Sequence, residues 1–471
     1  MEEENYLLMS TWSSSIVSSW ETLFAARRFL GSSWPQTYTG LKQLAADPDT
    51  RPDYILADYL VEAARDVSLE EGIPLAMHWP QMPTAMLSAP YIPGAPGLQI
   101  EVLTSEFATI WQRLKNEVAM YTSLPHYLRY LGWSRKMRAS RGVSRRLPTP
   151  NKPDYLCLVN SFFGLEAAKD LPPNVAAIGP ILADMVPTVT AEPYVSFLQS
   201  RRKVLYISLG THVLLPEKTI LQILAGALAA MEDGVVDGII WPLHAKASKQ
   251  LDPSVRLSEV MSNMRSPSPS LKAMTLGDLL SNRCPSVLFV GYAPQRALLG
   301  DARVVVFLSH VGASSTNEAV YAGVPLVTVP GYFDQIQNAM RLRDSGVSVP
   351  LQKETLQTQE VRLAITCIMK DLDRGGPISV NVRRMRGLAR IAVRRKHLGA
   401  DLIEEHMVDW EGREQEKRLG GTMRPRGMHL QTADARMPYW KAKNWDLTVM
   451  VGTATFLLVG IVAVAVTLPQ L

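Results

Sequence analysis

Short apolar runs alternate with amphipathic stretches along most of the chain. Those in the second half, such as KVLYISLGT, DGIIWPL, SVLFVGYAPQ, RVVVFLSH and VPLVTVP, lack strict alternation, which is typical of parallel strands covered on both faces. Helical patterns such as LQILAGALAAME separate some of them, and the first half repeats the order with ILADYL, GIPLAMHW, DYLCLVNS and VAAIGPIL. The pattern predicts an α/β protein with two Rossmann-like domains that face a cleft.

Breaks in this pattern divide the chain into four segments. Residues 1–190 are predicted to form an N-terminal Rossmann-like domain and residues 191–400 a C-terminal one, with the proline-containing stretch 183–200 as the interdomain linker. Residues 401–446 then supply a C-terminal helix and a basic juxtamembrane linker. Residues 447–468 carry no charged side chain, and a helix of that length spans a bilayer. The segment is predicted to be a transmembrane helix.

The two ends of the chain predict a single-pass C-terminal anchor. The N-terminus MEEENYLLMS opens with acids and lacks the basic and apolar regions of a signal peptide. Arg436, Lys441 and Lys443 precede the apolar segment, and only three residues follow it. Because the basic side of a span normally stays cytoplasmic, the sequence taken literally places the bulk of the chain in the cytosol.

Composition and charge exclude several classes of protein. The 471 residues are 47% apolar and 20% charged, which is a globular composition. The net charge of +5 is mild and gives no support for a nucleic-acid partner. The three cysteines, Cys157, Cys284 and Cys367, are widely spaced. That spacing excludes a disulfide framework and a zinc ribbon.

The stretch FLSHVGASSTNEAVYAG, which follows a predicted buried strand, has the features of a phosphate site. We expect VGASS to be the turn and STNEAVYAG the helix. Since the first amides of a helix lack partners and carry partial positive charge, a diphosphate fits there. Gly312 lets the backbone approach the phosphates, Ser314 and Ser315 add hydroxyl donors, and His310 at the strand end donates to a phosphate oxygen.

Polar side chains beyond this turn fit the rest of a nucleotide sugar. Glu318, in the predicted first helical turn, places a carboxylate where it accepts from two vicinal ribose hydroxyls. Asp334 and Gln335, after the next strand, lie at the distance of a sugar ring beyond the diphosphate. Upstream, Tyr292 offers a flat face for a base, with Gln295 behind it. The combination predicts a nucleotide diphosphate bound to a sugar.

The order YAPQ…HxGxxSxxE…DQ, from Tyr292 to Gln335, resembles the donor-binding signature of family 1 UDP-glycosyltransferases. The likeness extends to ISLGT, LVNSFFGLE, LPPN, IGPI and the C-terminal anchor. It implies a metal-independent GT-B fold, inverting transfer, a UDP-sugar co-substrate and no cofactor. It assigns uracil stacking to Tyr292, phosphate contacts to His310 and Ser315 with Thr211 near the phosphates, the ribose clamp to Glu318, and sugar-hydroxyl contacts to Asp334 and Gln335.

Catalysis in the family needs a histidine base and an aspartate that orients it. ILADYL matches the aspartate position, so Asp58 is the predicted orienting carboxylate. The family's histidine lies in the first strand-to-helix loop, and no histidine precedes His78 in this chain. The resemblance therefore predicts an incomplete N-terminal domain. A membrane-anchored, non-catalytic UDP-sugar-binding subunit is the alternative to an active transferase.

The resemblance also sets expectations for partners and location. Residues 1–190 would hold a small lipophilic acceptor and residues 191–400 the UDP-sugar, with glucose as the default sugar. Animal-type members of the family face the endoplasmic reticulum lumen, so we expect that membrane, while the side of the catalytic part stays open. Acidic pairs at Asp47–Asp49 and Asp371–Asp373 do not end a strand, and no metal is implied. A homo-oligomer is left open.

Overall fold

The computed structural model describes residues 20–82, 89–95, 98–145, 153–210, 213, 215–261, 268–331, 334–420, 430, 432–435 and 437–467. Its strands are β1 (Ile55–Asp58), β2 (Leu75–Trp79), β3 (Leu156–Val159), β4 (Val175–Ala177), β5 (Val204–Ser208), β6 (Gly238–Pro242), β7 (Val287–Val290), β8 (Val304–Ser309), β9 (Leu326–Thr328) and β10 (Ser348–Pro350). They form two separate parallel sheets, as the apolar runs predict.

Helices connect these strands and extend the chain at both ends. In chain order they are α1 (Trp20–Gly31), α2 (Trp34–Ala46), α3 (Glu62–Glu71), α4 (Ile110–Ala139), α5 (Tyr194–Gln199), α6 (Glu217–Glu232), α7 (Ala245–Ser248), α8 (Leu257–Val260), α9 (Pro269–Lys272), α10 (Leu276–Leu280), α11 (Gln295–Gly300), α12 (Ala313–Ala322), α13 (Asp334–Asp344), α14 (Thr358–Arg374), α15 (Pro377–Ala392), α16 (Lys396–Arg418), α17 (Tyr439–Ala442) and α18 (Trp445–Thr467). Strands and helices alternate through most of the described chain, so the predicted α/β class is confirmed.

The first sheet has the order β1-β2-β3-β4. Alternate side chains of β1 and β2, including Ile55 and Met77, pack on one face against α2 and α3. Ala76 and Leu158 point to the other face, where Ile403 of α16 covers them. Asp58 and His78 are direct neighbours across β1 and β2, so the register brings these two side chains to the carboxyl end of the sheet together.

The second sheet has the order β10-β9-β8-β5-β6-β7, with every pair parallel. From β5 the chain first builds outward through β6 and β7, and then crosses back to add β8 on the other side of β5. A crevice opens outside the carboxyl ends of the strands where the direction of building reverses, and ligands of doubly wound sheets bind there. This places the end of β8, and His310 after it, at the expected ligand position.

Contacts between the two domains fix the cleft. Arg341 on α13 pairs with Glu166 of the first domain at 2.7 Å, and both side chains are 3% exposed. Asn317 on α12 donates to the backbone carbonyl of Asn160 at 2.8 Å. Both contacts cross the boundary between the domains, so separating the domains would break this buried ion pair and this hydrogen bond.

Helix α16 returns the chain to the first domain. It begins at Lys396, before the predicted segment boundary at residue 400, and lies against β3 and the first sheet. His406 Nδ1 on this helix is 2.8 Å from the Tyr54 hydroxyl oxygen, just ahead of β1. The C-terminal helix is thus part of the packing of the N-terminal domain.

The linker prediction for residues 183–200 is wrong over its last part. Helix α5 (Tyr194–Gln199) occupies that part, and Leu198 is fully buried in the core of the second domain with Phe307 and Tyr206. The prolines that suggested a linker lie before this helix, and Pro193 is its N-cap residue. Proline is compatible with the start of a helix, where the missing N–H costs nothing.

Among the described helices, α18 alone is long and apolar enough to cross a membrane. Its window Trp445–Val462 has a mean hydropathy of 1.8 and is 0% buried. The helix begins two positions before the predicted start at residue 447, and the predicted last residue, Leu468, lies outside the described residues. Arg436, used above for orientation, also lies outside them.

Candidate functional site

The two domains enclose one cavity of about 1080 Å³. The C-terminal domain supplies most of the polar residues predicted for the site, among them Tyr292, Gln295, His310, Gly312, Ser315, Glu318, Asp334 and Gln335. The predicted Thr211 lies outside the described residues, next to Gly210, which does line the cavity. The structure thus brings the described part of the predicted donor site into one space.

The turn between β8 and α12 is held in a strained conformation. Val311 has a φ of 56°, in the left-handed region that a β-branched residue rarely adopts. Its N–H donates to Ser309 Oγ at 3.0 Å, and its carbonyl accepts from Thr316 Oγ1 at 3.2 Å and Asn338 Nδ2 at 3.0 Å. Three net hydrogen bonds of about 1 kcal/mol each offset a strain of about 1–3 kcal/mol.

Those supporting residues were missed by the sequence argument. The turn is held by hydrogen bonds with Ser309, Thr316 and Asn338. None of these three lines the cavity, but they fix the turn so that His310 and Gly312 do. A valine between a histidine and a glycine, followed by a Ser-Thr run, gave no signal of strain, because positive φ is a property of the folded backbone.

Helix α12 begins earlier than the sequence predicts. Gly312 is its N-cap and Ala313 its first residue, so Ser314 and Ser315 lie in the first turn of the helix and not in the preceding turn. Glu318 consequently sits in the second turn rather than the first. The predicted VGASS turn is wrong because the strained Val311 completes the reversal within three residues, which leaves the following small residues free to be helical.

His310 leaves no room for side chains on the glycines around it. A Cβ added to Gly312 would lie 2.8 Å from His310 Nε2, and one added to Gly210 would lie 2.6 Å from the same atom. Gly210 also has a φ of 77°, which favours glycine. The imidazole is therefore packed between the ends of β5 and β8, and His310 as a residue is only 9% exposed.

Glu318 belongs to a small polar network that faces the cavity. Gln295 Nε2 donates to Glu318 Oε2 at 2.8 Å and to Ser315 Oγ at 3.1 Å. Burial raises the pKa of Glu318, while the hydrogen bond from Gln295 and the charge of Arg296 act in the opposite direction. Gln295, which was predicted to lie near the nucleotide base, thus orients the Glu318 carboxylate, which was predicted to hold the ribose.

Asp334 and Gln335 begin α13 at the same opening. Gln335 Oε1 accepts from the Gly331 N–H at 2.8 Å, and Asn338 Nδ2 donates to Asp334 Oδ2 at 3.1 Å. Burial raises the pKa of Asp334 to about 6, against the lowering effect of Asn338 and of the Ala313 backbone amide. One of the helix amides expected to face a diphosphate therefore interacts with this carboxylate.

Replacing Asp334 with asparagine is expected to change how stability depends on pH. The pKa of Asp334 is raised from 3.8 to about 6, so between about pH 4 and pH 6 the native state holds a proton that the unfolded chain has lost. The wild type therefore loses stability as pH rises through this window, by about 1.4 kcal/mol per pKa unit and about 3 kcal/mol in all.

The Asp334→Asn variant is expected to show no such loss of stability with rising pH. A weakened hydrogen bond with Asn338 lowers its stability by an amount that does not change with pH. Thermal unfolding of both proteins in mild detergent, from about pH 4 to pH 8, measures the difference. Asp344→Asn, at the exposed end of the same helix, is the control for the substitution itself. A difference between wild type and Asp334→Asn that stays constant with pH would contradict the raised pKa.

Tyr292 presents an accessible ring at the cavity. The side chain is 79% exposed, and its backbone carbonyl accepts a hydrogen bond from the Tyr194 hydroxyl. The backbone is thus fixed by α5 while the ring stays open to solvent. An aromatic face in this state is available for a flat partner to stack on.

The N-terminal domain gives the cavity an apolar half, whose individual residues could not be named from the sequence. Its lining includes Trp20, Leu23, Leu30, Tyr59, Trp79, Met82, Leu98 and Ile100. Tyr59 directly follows β1, and Trp79 is the last residue of β2. The centroids of their rings are 4.4 Å apart, and the ring planes form an angle of 30°. The amphipathic spacing of α1 was the available signal, since Leu23 and Leu30 recur at helical spacing.

Asp58 and His78 lie side by side at the edge of this apolar half. Asp58 Oδ2 is 3.9 Å from His78 Nδ1. Burial raises the pKa of Asp58, but His78 and a hydrogen bond from the Leu60 N–H outweigh it and hold the pKa below its ordinary value. Neither residue is among the described residues that line the cavity, although their chain neighbours Tyr59 and Trp79 are.

The described part of the chain contains no group of three or more His, Cys, Asp or Glu side chains that could hold a metal ion. Of the two acidic pairs noted above, Asp47 accepts from the Asp49 N–H at 3.0 Å and Asp373 pairs with Lys203 at 3.3 Å. Both have structural partners away from the cavity. The described residues that line the cavity offer hydroxyl, amide and carboxylate groups that can form hydrogen bonds.

Comparison with known proteins identifies relatives over most of the chain. The family model described as UDP-glucoronosyl and UDP-glucosyl transferase matches residues 51–374. A UDP-glycosyltransferase from Talaromyces amestolkiae is 42% identical over 90% of this chain and 77% of its own length. UDP-glycosyltransferase FPY2 from Fusarium mangiferae is 36% identical over 98% of this chain and 85% of its own.

Solved structures share the architecture at much lower identity. A variant of Os79 from O. sativa in complex with UDP superposes with a TM-score of 0.54 and 19% identity, over 82% of this chain and 84% of that chain. At this identity the likeness concerns the fold alone. It agrees with the predicted GT-B arrangement of two parallel-sheet domains around a cleft.

Proposed function

This chain belongs to the UDP-glucoronosyl and UDP-glucosyl transferase family, and from this premise we propose that it transfers glucose from UDP-glucose to a hydroxyl group of a small lipophilic acceptor. The transfer inverts the anomeric centre and uses no metal. The observation that carries the proposal is that one cavity joins a polar half, with Glu318 and Asp334, to an apolar half, with Trp79 and Met82.

The polar half fits the donor in order along its length. Uracil stacks on the exposed ring of Tyr292, and the ribose hydroxyls donate to the Glu318 carboxylate, which Gln295 orients. The diphosphate lies at the start of α12, near Ser315 and His310. The sugar hydroxyls reach Asp334 and Gln335 at the start of α13.

The residues around the diphosphate do the work that a metal does in other transferases. As the bond between the anomeric carbon and the phosphate oxygen breaks, that oxygen keeps the electron pair and negative charge grows on UDP. The amides at the start of α12, its dipole and the His310 ring stabilise this charge. Removal of divalent ions by a chelator is therefore expected to leave the rate unchanged.

The acceptor hydroxyl attacks the anomeric carbon from the opposite side, and its proton passes to a base. Asp58 is the proposed orienting carboxylate, and His78 is the histidine that β1 and β2 bring to it. A histidine with a carboxylate behind it suits this role, because a positioned imidazole is the commonest group that takes a proton in general base catalysis. The apolar half holds the body of the acceptor and excludes water.

A non-catalytic UDP-sugar-binding subunit is the second candidate. The observation that favours it is the placement of Asp58 and His78 outside the cavity lining, with 3.9 Å between Oδ2 and Nδ1. Such a subunit would bind UDP-glucose without releasing UDP in the presence of any acceptor.

The proposed location is a membrane, with α18 as a single-pass anchor. Trp440 and Trp445 stand at its start together with Lys441 and Lys443, as is typical of the membrane–water boundary. Because basic residues beside a span normally stay in the cytosol, Lys441 and Lys443 favour a cytosolic position for the part of the chain that precedes α18. The endoplasmic reticulum is the membrane proposed, from the resemblance to anchored members of the family.

The proposal is tested on the purified full chain in mild detergent. UDP-glucose is expected to raise the unfolding temperature, and a panel of lipophilic alcohols and phenols to reveal acceptor-dependent release of UDP. Proton NMR of the product reports the anomeric configuration, and UDP-glucuronate and UDP-galactose serve as competing donors. Stabilisation without UDP release supports the binding subunit, and absence of both excludes a UDP-sugar site.

A further inference from the structure

Helix α4 (Ile110–Ala139) has two unlike faces. The inner face packs on the N-terminal domain through Asn116, Ala119, Ser123 and Tyr130. The opposite face is apolar and open to solvent, with exposed fractions between 45% and 79%. We call this set the outer face of α4, and it consists of Ile110, Trp111, Leu114, Val118, Tyr121 and Leu128.

The outer face forms one stripe along the helix. Residues 111, 114, 118, 121 and 128 follow spacings of three, four and seven, which places them on one side over about 26 Å of helix. A surface helix of a globular protein normally turns polar side chains to water, and a contiguous exposed apolar stripe marks an interaction site. The outer face is therefore expected to be covered when the protein works.

Charge identifies what covers it. The flanks of the stripe carry the exposed cations Arg113, Lys115, Arg129, Arg135 and Lys136 against a single exposed acid of the helix, Glu117. Lys115 pairs with Glu101 at 2.6 Å, and Glu117 accepts from the Gly94 N–H. Among the residues that the structure describes, the other four cations form no ion pair, so their charge can meet an external anion.

We propose that the outer face of α4 docks onto an anionic bilayer surface. Tryptophan, tyrosine and leucine on one face with lysine and arginine beside them are the composition of helices that lie in the membrane interface. A second copy of this chain fits less well, because the cationic flanks of two copies would face each other without compensating acids. Pairing of like charges across an interface is unfavourable.

Docking would bring the apolar half of the cavity to the bilayer. Asn116, on the inner face of α4, accepts from the backbone N–H groups of Ile100 and Glu101 at 2.9 and 3.3 Å. Its side chain also donates to the Val102 carbonyl at 2.8 Å. Leu98 and Ile100 of this loop line the cavity. A lipophilic molecule dissolved in the bilayer would then reach the cavity without crossing bulk water.

The test places a fluorescent probe on the outer face in the full chain. Cys157 and Cys284 are buried and Cys367 is exposed, so a Cys367→Ser background allows Val118→Cys to be labelled selectively. Lys249→Cys, exposed on α7's C-cap in the other domain, is the matched control. Both proteins are reconstituted into vesicles of phosphatidylcholine and phosphatidylserine, and quenching is measured with nitroxide-labelled lipid and with aqueous iodide.

The probe at residue 118 is expected to lose most of its fluorescence to the nitroxide lipid and to be protected from iodide, whereas the probe at residue 249 shows the reverse. Arg129→Gln and Lys136→Gln should each weaken docking about fivefold, as expected for a cation near an anionic surface. A probe at 118 that iodide reaches freely overturns the proposal. So does protection from iodide without lipid quenching, which would indicate another chain or segment as the cover.

These results do not depend on sugar transfer or on the anchor. The unfolding temperature of each labelled protein, compared with that of the unlabelled chain, shows whether the fold is intact. Extraction of the vesicles with alkaline carbonate reports α18 separately. A chain released by carbonate lacks a spanning anchor, yet lipid quenching at residue 118 before extraction would still support docking by α4.

Discussion

Glu318→Ala is expected to abolish the stabilisation of the protein by UDP at concentrations that saturate the wild type. The carboxylate is the proposed acceptor for two ribose hydroxyls, and hydrogen bonds to a charged group contribute about 1.5–3 kcal/mol each. Losing both weakens UDP binding by about 3 kcal/mol or more, which is at least about a hundredfold. Calorimetric titration with UDP and the shift in unfolding temperature both measure this loss.

The fold is expected to survive the change, because Glu318 faces the cavity and removing it relieves a partly buried carboxylate. Gln295 and Ser315 keep their mutual hydrogen bond. Glu217→Ala, an exposed glutamate in the first turn of α6, is the matched control and should bind UDP normally. If Glu318→Ala binds UDP as tightly as the Glu217→Ala control does, the ribose role is wrong and the donor must lie elsewhere in the cavity.

Asp58→Ala is expected to reduce acceptor-dependent release of UDP by about 10² to 10⁴-fold while leaving UDP binding unchanged. This is the usual contribution of a positioned proton-transfer group. The split arises because Asp58 lies at the end of β1, across the cleft from Glu318 and its network in the other domain. Steady-state rates with a saturating donor, combined with UDP titration, separate the two effects.

His78→Gln distinguishes the base from the group that orients it. If His78 takes the proton, this variant loses rate to a similar extent, because glutamine cannot accept the proton. Asp53→Ala, an exposed aspartate just before β1, controls for removal of negative charge nearby and should keep full activity. Full activity in Asp58→Ala would remove the carboxylate from the mechanism, and a wild type without turnover would favour the binding subunit.

The sequence was sufficient to locate much of the polar half of the cavity. The apolar runs predicted the parallel strands, and the spacing of His310, Glu318 and Asp334 placed the polar groups at two neighbouring strand ends. This succeeds because parallel strands bring their carboxyl ends to one edge of a sheet, so that residues which follow different strands converge without any knowledge of side-chain packing. The roles of the individual residues stay predictions that the variants above test.

Short-range patterns were less reliable where the folded backbone is unusual. The early start of α12 depends on Val311 at positive φ. That conformation depends on the hydrogen bond that the Val311 N–H donates to Ser309 and on those that its carbonyl accepts from Thr316 and Asn338. Local propensity carries no information about such partners, because one of them comes from another helix. The same reason explains why α5 could be mistaken for linker until its burial against Phe307 was known.

The sequence by itself determined the α/β class, the positions of most strands, many residues of the polar half of the cavity and the apolar character of the C-terminal segment. Each of these follows from the composition and the periodicity of the chain. Only the tertiary structure decided that α1 closes the apolar half of the cavity, that Asp58 and His78 are neighbours, and that α4 turns an apolar stripe to the outside. Those features depend on which faces meet, and a face acquires a partner only when distant segments pack together.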